Sequence, residues 1–297
     1  MVSNKYNNRL KSICWDITSK CNDNCKFCYR NPNNQELSLT DNKIIIKKLI
    51  DFGVDKISFV GGEPLLYDAI FELIKYAREY CNGKTIFSIT TNAILLTKIT
   101  QGKVVVNEYM FRQIADSFEW ITFSLDAPNA LLQNKIGRNR FHFDRVIALL
   151  SFAKQHNLSN KIKINTVVCK YNKDILEQLL SILVTYNIKR WKLFRFLPSR
   201  GNAAQHRDEY YITESEFNSV VDRLLELNSK NTLHISVNGY DNFDNSYITI
   251  SSAGKLVVYD GNQYFDEMDL KEDEMSNILE FINIDKHLLN RSDFLNV

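Results

Sequence analysis

Apolar residues recur along this chain with two alternating periods. "SICWDIT" (12–18), "DKISFVGG" (55–62), "KTIFSITTN" (84–92), "EWITFSLD" (119–126), "KIKINTVVCK" (161–170) and "IKRWKLFRF" (188–196) read as strands. Between them, "TDNKIIIKKLIDFG" (40–53), "AIFELIKYAREY" (69–80), "EYMFRQIADSF" (108–118), "FDRVIALLSFAKQH" (143–156) and "KDILEQLLSILVTY" (173–186) carry apolar residues at helical spacing. The first of these helices opens on a capping threonine and stops at a glycine. Strands that alternate with helices predict parallel strands joined by crossover helices. The expected fold class is therefore α/β, a barrel or part of one.

After residue 197 the pattern changes. "TESEFNSVVDRLLEL" (213–227) opens on a capping box, Thr213 with Glu216. "NSYITISSAGKLVVYDG" (245–261) reads as a hairpin turning at Ala253–Gly254. The tail from "FDEMDLKEDEM" onward is acidic and weakly helical, a solvated face. The organisation expected is a partial (β/α)6 barrel over residues 1–200 and a C-terminal α/β extension over 201–297 that closes its open end.

Side chains alternate faces along a strand. Ile162, Ile164 and Val168 oppose Lys163 and Asn165. Trp191 and Leu193 oppose Arg190 and Lys192, and Ile57 and Phe59 oppose Lys56 and Ser58. Ile121, Phe123 and Leu125 oppose Thr122, Ser124 and Asp126, while Ser88, Thr90 and Asn92 share a face. The apolar set suits helix packing. The polar set then lines an interior, and buried cations there are costly unless the chamber is wet or holds anions. A single such lysine reads better as the exposed end of a short strand, whereas four cations on matching faces of three strands favour the chamber.

Composition narrows the class. The chain has 297 residues, 44% of them hydrophobic, and a net charge of +2. That argues for a full core and against a nucleic-acid partner. No apolar run approaches the roughly 20 residues of a membrane span. Six cysteines are too few for a disulfide framework in a chain this long, which suggests a reducing, cytoplasmic setting.

Three of those cysteines, Cys21, Cys25 and Cys28, form a C-x3-C-x2-C run after the first strand. A structural zinc site or an ordinary iron–sulfur cluster takes four protein ligands, so three leave one metal corner for something other than protein. A zinc knuckle or a redox pair is the other reading of the cysteines alone. Cys14, Cys81 and Cys169 read as core residues.

The cysteine run, with Phe27 before its last member, "GGEP" (61–64) ending the second strand and "SITTNA" (88–93) ending the third resemble the radical S-adenosylmethionine (SAM) superfamily over residues 12–200. The resemblance implies a [4Fe–4S] cluster on Cys21, Cys25 and Cys28, with SAM on its open iron and cleaved to a 5′-deoxyadenosyl radical. It implies that Gly61, Gly62, Glu63 and Pro64 hold the SAM amino group. Asn92 then stands at the SAM-side strand end, with Ala93 where the family has glycine, and Ser124, Asp126 and Arg138 are candidates for the ribose or carboxylate. "DKISFVGGEP", "IGR" (136–138), "KINTVV" (163–168), "KRWKLF" (189–194) and "NSYITI" (245–250) further resemble viperin and its prokaryotic relatives, which dehydrate a nucleoside triphosphate such as CTP. That likeness implies substrate binding by Lys56, Lys163, Asn165, Arg190 and Lys192, a hydrogen-donor role for Tyr247, and an external one-electron donor of flavodoxin or ferredoxin type. It implies an antiviral role as well. Val60, Cys14 and Asp16 depart from the viperin pattern, and "FLPSRGNA" (196–203) resembles radical SAM enzymes more broadly. A radical SAM maturase acting on a peptide or small metabolite, and a metal-binding regulatory module without turnover, are the rival readings.

Overall fold

The computed structural model describes residues 10–30, 35–81, 83–240, 247–259 and 264–291. Its strands, in chain order, are β1 (Ile13–Thr18), β2 (Lys56–Gly61), β3 (Ile86–Thr91), β4 (Thr97–Thr100), β5 (Lys103–Val106), β6 (Trp120–Ser124), β7 (Ile162–Val168), β8 (Arg190–Arg195), β9 (His234–Asn238), β10 (Thr249–Ile250), β11 (Lys255–Tyr259) and β12 (Tyr264–Asp269). The six strands read from the sequence are β1, β2, β3, β6, β7 and β8. The α/β class holds, and no strand order closes into a barrel among the described residues.

The chain divides into two compact units, one made of 1–20, 33–88 and 241–297, the other of 21–32 and 89–240. Strand β3 passes from the first to the second after Ser88. In the first unit the order is β12-β11-β10-β1-β2-β3. β1 runs parallel to β2 and to β10, and β10, β11 and β12 are antiparallel. Its core includes Trp15, Phe59, Ile45, Leu49 and Leu73, all essentially inaccessible, and the Trp15 and Phe59 rings stack at 5.7 Å. Helix Leu39–Phe52 is capped by Ser38, two residues before the expected threonine, because the Ser38 hydroxyl reaches the Asp41 N–H. Gly53, at φ 84°, ends it.

In the second unit the order is β3-β6-β7-β8-β9, and β6 through β9 are parallel. Its core holds Phe111, Phe123, Leu149, Leu179, Leu183, Trp191 and Leu193. The Trp191 indole N–H donates to the Thr166 hydroxyl at 2.8 Å, so the buried donor is satisfied. Helix Glu214–Asn228 starts on the expected capping box.

Two expectations change. Residues after 200 do not form one extension. Those to 240 belong to the second unit, where β9 pairs with β8, and those from 241 to the first, where β10 pairs with β1. The acidic stretch is not helical at its start: 264–269 is β12, because ladder bonds to β11 outweigh the weak strand propensity of acidic residues. The β4–β5 hairpin and β9 were not read from the sequence.

Candidate active site

The cysteine run lies in the second unit. The three thiols are unpaired with one another, Cys25 buried and Cys21 and Cys28 half-buried. Each end of the loop is held by named groups. The Asn92 amide, at the end of β3, donates to Asn22 Oδ1 at 2.7 Å and approaches Cys21 Sγ at 3.8 Å. Arg138 donates from Nη1 to Cys25 Sγ at 3.4 Å and from Nε to Asp126 Oδ2 at 2.8 Å. Its guanidinium lies 4.7 Å from the centre of the Phe27 ring. The second Asp126 oxygen accepts the Val167 N–H at 2.8 Å, which ties the loop to β7.

The segment "FLPSRGNA" clasps the same loop. The Asn202 amide donates to the Cys25 carbonyl and the Ala203 N–H to the Cys28 carbonyl, both at 3.0 Å. Gly201 has φ 60°, and a Cβ there would stand 2.3 Å from the Arg30 carbonyl oxygen. Only glycine allows that approach.

Burial pushes the Cys25 thiol up to about 12, while the Arg138 charge pulls it down. Burial also opposes the charge on Arg138, but Asp126 and Cys25 outweigh it and the guanidinium stays charged. A buried thiol beside a held cation suits a metal-bound thiolate, since coordination removes the proton outright. No three His, Cys, Asp or Glu side chains among the described residues converge on one ion. A cubic cluster does not ask for that convergence, because each thiolate binds a different iron and the sulfurs stand further apart than the ligands of one ion. The donor set therefore fits the cluster: three soft thiols on one loop, none in a disulfide, with a cation against one of them.

The glycines of GGEP work differently from the expected close approach to a ligand. A Cβ on Gly61 would meet the Thr18 carbonyl oxygen at 2.4 Å, and one on Gly62 the Lys20 carbonyl oxygen at 1.9 Å. The Gly62 N–H donates to Thr18 O and the Glu63 N–H to Lys20 O, both at 2.8 Å. The motif therefore packs on the backbone of residues 18–20, directly before Cys21. With those two N–H groups engaged, what the segment offers an ammonium is carbonyl and carboxylate oxygen. Glu63 is fully buried, and its carboxylate caps the short 3-10 turn Pro64–Leu66 through the Leu65 N–H at 3.2 Å.

The polar strand face of the second unit is ordered into rows. Parallel register sets Thr122, Lys163, Arg190 and His234 side by side, then Ser124, Asn165, Lys192 and Ser236, then Val167, Phe194 and Asn238. First row to third is four residues, about 13 Å at ~3.3 Å per residue. The cations occupy the first two rows. Arg190 lies over the Trp120 ring, and burial lowers its pKa to about 10, so it remains charged at neutral pH. Lys192 is 4% exposed, with Nζ 5.0 Å from the centre of the Phe194 ring. The third row is the cysteine end, since Val167 bonds Asp126, which pairs with Arg138, which reaches Cys25.

The other expected site residues are placed as follows. Asp126 is 0% exposed with a partner on each oxygen, so it positions Arg138 and has no surface for a sugar. Ser124 shares a row with Asn165 and Lys192. Lys56 lies in the first unit, buried on β2. Tyr247 is also in the first unit, and its hydroxyl accepts from the Cys14 thiol at 3.0 Å. Cys14 is thus not a core cysteine as Cys81 and Cys169 are; β1 presents it on the polar face, in register with Ser58. Sequence reasoning missed His234, Ser236 and Asn238. The signal was the alternation in "HISVN", only five residues long and next to no recognised motif.

Comparison with known proteins adds three findings. A family model described as the Radical SAM superfamily matches residues 15–183. An "S-adenosylmethionine-dependent nucleotide dehydratase" of Flammeovirga pacifica is 31% identical over 268 residues, covering 87% of this chain and 86% of that protein. One of the same name from Selenomonas ruminantium is 29% identical over 259 residues, covering 84% and 86%. Among solved structures, SuiB of Streptococcus suis bound to S-adenosylmethionine matches with a TM-score of 0.68 at 18% identity, over 95% of this chain and 67% of SuiB, a likeness of fold.

Proposed function

The chain belongs to the radical SAM superfamily, is an enzyme and uses a [4Fe–4S] cluster with SAM; on that premise we propose that it dehydrates a nucleoside triphosphate to the 3′-deoxy-3′,4′-didehydro nucleotide. The observation that carries this reading is the sorting of the strand face in the second unit. Cations stand in the two rows far from the cysteines, and uncharged groups stand in the row beside them. A nucleoside triphosphate is sorted the same way, with its negative charge at one end and its sugar C–H bonds towards the other. The names of the relatives point to the same substrate class.

When bound, the cluster and SAM together supply a 5′-deoxyadenosyl radical able to take a hydrogen atom from an unactivated C–H bond. Cys21, Cys25 and Cys28 hold the cluster, and Arg138 steadies Cys25 from the side. Gly61–Pro64 supply oxygen acceptors for the SAM amino group, and the Arg138 face not used by Asp126 suits its carboxylate. Lys163, Arg190 and Lys192 hold the triphosphate, and Asn165 hydrogen-bonds it. That fixes one ribose C–H, at C4′, towards the cysteine end. Loss of the 3′-hydroxyl as water then leaves a substrate radical, which takes up one further electron and one proton to become the product, with Tyr247 the proposed hydrogen donor, restored by that electron. Both electrons come from a flavodoxin- or ferredoxin-type donor, and a reducing, cytoplasmic compartment suits a chain with six thiols. A nucleotide without a 3′-hydroxyl cannot be extended by a polymerase, which is the chemistry of an antiviral role. Among the described residues no helix is long and apolar enough to cross a membrane.

The test is anaerobic. Reconstituted, reduced enzyme is given SAM with each of CTP, UTP, GTP and ATP, and 5′-deoxyadenosine and nucleotide products are followed by mass spectrometry. One nucleotide should raise deoxyadenosine formation and yield a product lighter by one water. Deoxyadenosine formed equally with and without every nucleotide sinks the dehydratase reading and turns the search to peptides. Lys163→Ala and Arg190→Ala should raise KM roughly 10–100-fold, the effect of ~1.4–2.8 kcal/mol lost per charged contact, with a much smaller change in deoxyadenosine formed without nucleotide.

A further inference from the structure

Strand β9 carries two polar groups that the fold does not use. Asn238 is 3% exposed, and its Nδ2 has no hydrogen-bond partner among the described residues. His234 Nε2 is likewise inaccessible and without a partner there. An unmet buried donor or acceptor costs ~1–3 kcal/mol, and native chains keep few of them. Both residues stand on the polar face by register: His234 beside Arg190, Ser236 beside Lys192, Asn238 beside Phe194. Asn165 Oδ1, in the middle row, is also buried without a partner. Three of the nine buried side-chain atoms without a partner among the described residues therefore lie on the face already assigned to substrate.

Resting on the nucleotide reading, we infer that β9 forms a wall of the substrate site, with His234 extending the phosphate row and Asn238 setting which nucleoside is accepted. His234 sits in the first row with Lys163 and Arg190, where its ring N–H can donate to a phosphate oxygen. Asn238 sits at the cysteine end, where the sugar and base must lie if the phosphates lie at the other. Its neighbour in register is the half-buried Phe194. An aromatic face for stacking beside an amide that both donates and accepts is how protein sites read a base edge. The ligand class is a nucleobase presenting a donor and an acceptor side by side.

The experiment measures nucleotide binding by titration calorimetry on the cluster-loaded enzyme without reductant, and kcat/KM with CTP, UTP, GTP and ATP, for wild type, His234→Ala, Asn238→Ala and Asn238→Ser. His234→Ala should weaken Kd for all four nucleotides by a common factor of roughly 5–20, the loss of one hydrogen bond to a charged group. Asn238→Ala should lower kcat/KM for the preferred nucleotide about 10–100-fold and the poorest by little, so that the ranking compresses. Asn238→Ser, smaller but still polar, should fall between, and it serves if the alanine variant does not fold. Unchanged Kd and an unchanged ranking in folded variants would overturn the role of β9 while the dehydratase reading stands. If wild type itself binds none of the four nucleotides, both fall together.

Discussion

At the cysteine end of the second unit, several buried polar groups are paired with one another, although His142 Nε2 and Ser199 Oγ have no partner among the described residues. Asp126 meets Arg138 and Val167, Asn172 meets the Asp126 and Val167 carbonyls at 2.8 Å, Tyr210 meets the Ile136 carbonyl at 2.7 Å, and Gln133 meets His142 at 3.0 Å. On the open face of the same strands the pattern is reversed, and Asn165, His234 and Asn238 keep buried atoms without partners. One region has spent its polar groups on geometry; the other holds them ready. A polar residue of the first kind supports a cofactor, and one of the second kind meets a ligand. The contrast predicts that mutations in the two regions move different observables.

The largest effect belongs to the cysteine end. Cys25→Ala should abolish nucleotide-independent deoxyadenosine formation along with bound iron, read by iron and sulfide analysis. Asp126→Asn should follow, because it leaves the Arg138 charge without its buried partner. Unfolding free energy in urea should fall by about 3–5 kcal/mol. The open face should behave in the opposite sense. Asn165→Ala should leave stability within roughly 0.5 kcal/mol of wild type, since it removes an unmet acceptor, yet weaken nucleotide Kd about tenfold. Equal stability losses in Asp126→Asn and Asn165→Ala would erase the distinction between the regions.

The smallest effect is a pH dependence outside both regions. Glu216 is held down to about 2 from its ordinary 4.5 by its hydrogen bonds to Lys173 and the Thr213 cap. A carboxylate whose pKa is lower folded than unfolded stabilises the fold fully above 4.5 and loses that contribution as pH falls towards 2. Lys173→Ala should therefore lower stability at neutral pH slightly and flatten the acid limb of a thermal melt. An acid limb identical to that of wild type would remove this pair from the account.

Much of this was legible in the chain. The six strands followed from short β-branched and aromatic runs between helical repeats, and Lys163, Asn165, Arg190 and Lys192 were placed on one face by alternation alone. The cysteine run and GGEP were read as a pair. Less legible was the reason for the glycines, since the atoms Gly62 must clear belong to Lys20, 42 positions earlier. Ala93 shows the same gap from the other side. It was read as a small departure from glycine, and the structure holds it at φ 69°, the left-handed conformation that favours glycine.

By itself the sequence determined what local chemistry determines: element type, the face of each strand, and the run of three thiols proposed to hold the cluster. Element type and strand face depend on residues a few positions apart, where periodicity and spacing carry the signal. Only the tertiary structure decided which polar groups are consumed. Whether Asp126 is a ligand or a brace depends on Arg138 and Val167, and whether β9 joins the site depends on its ladder with β8. Such pairings are set by burial and register between segments far apart in the chain, and no local pattern encodes them.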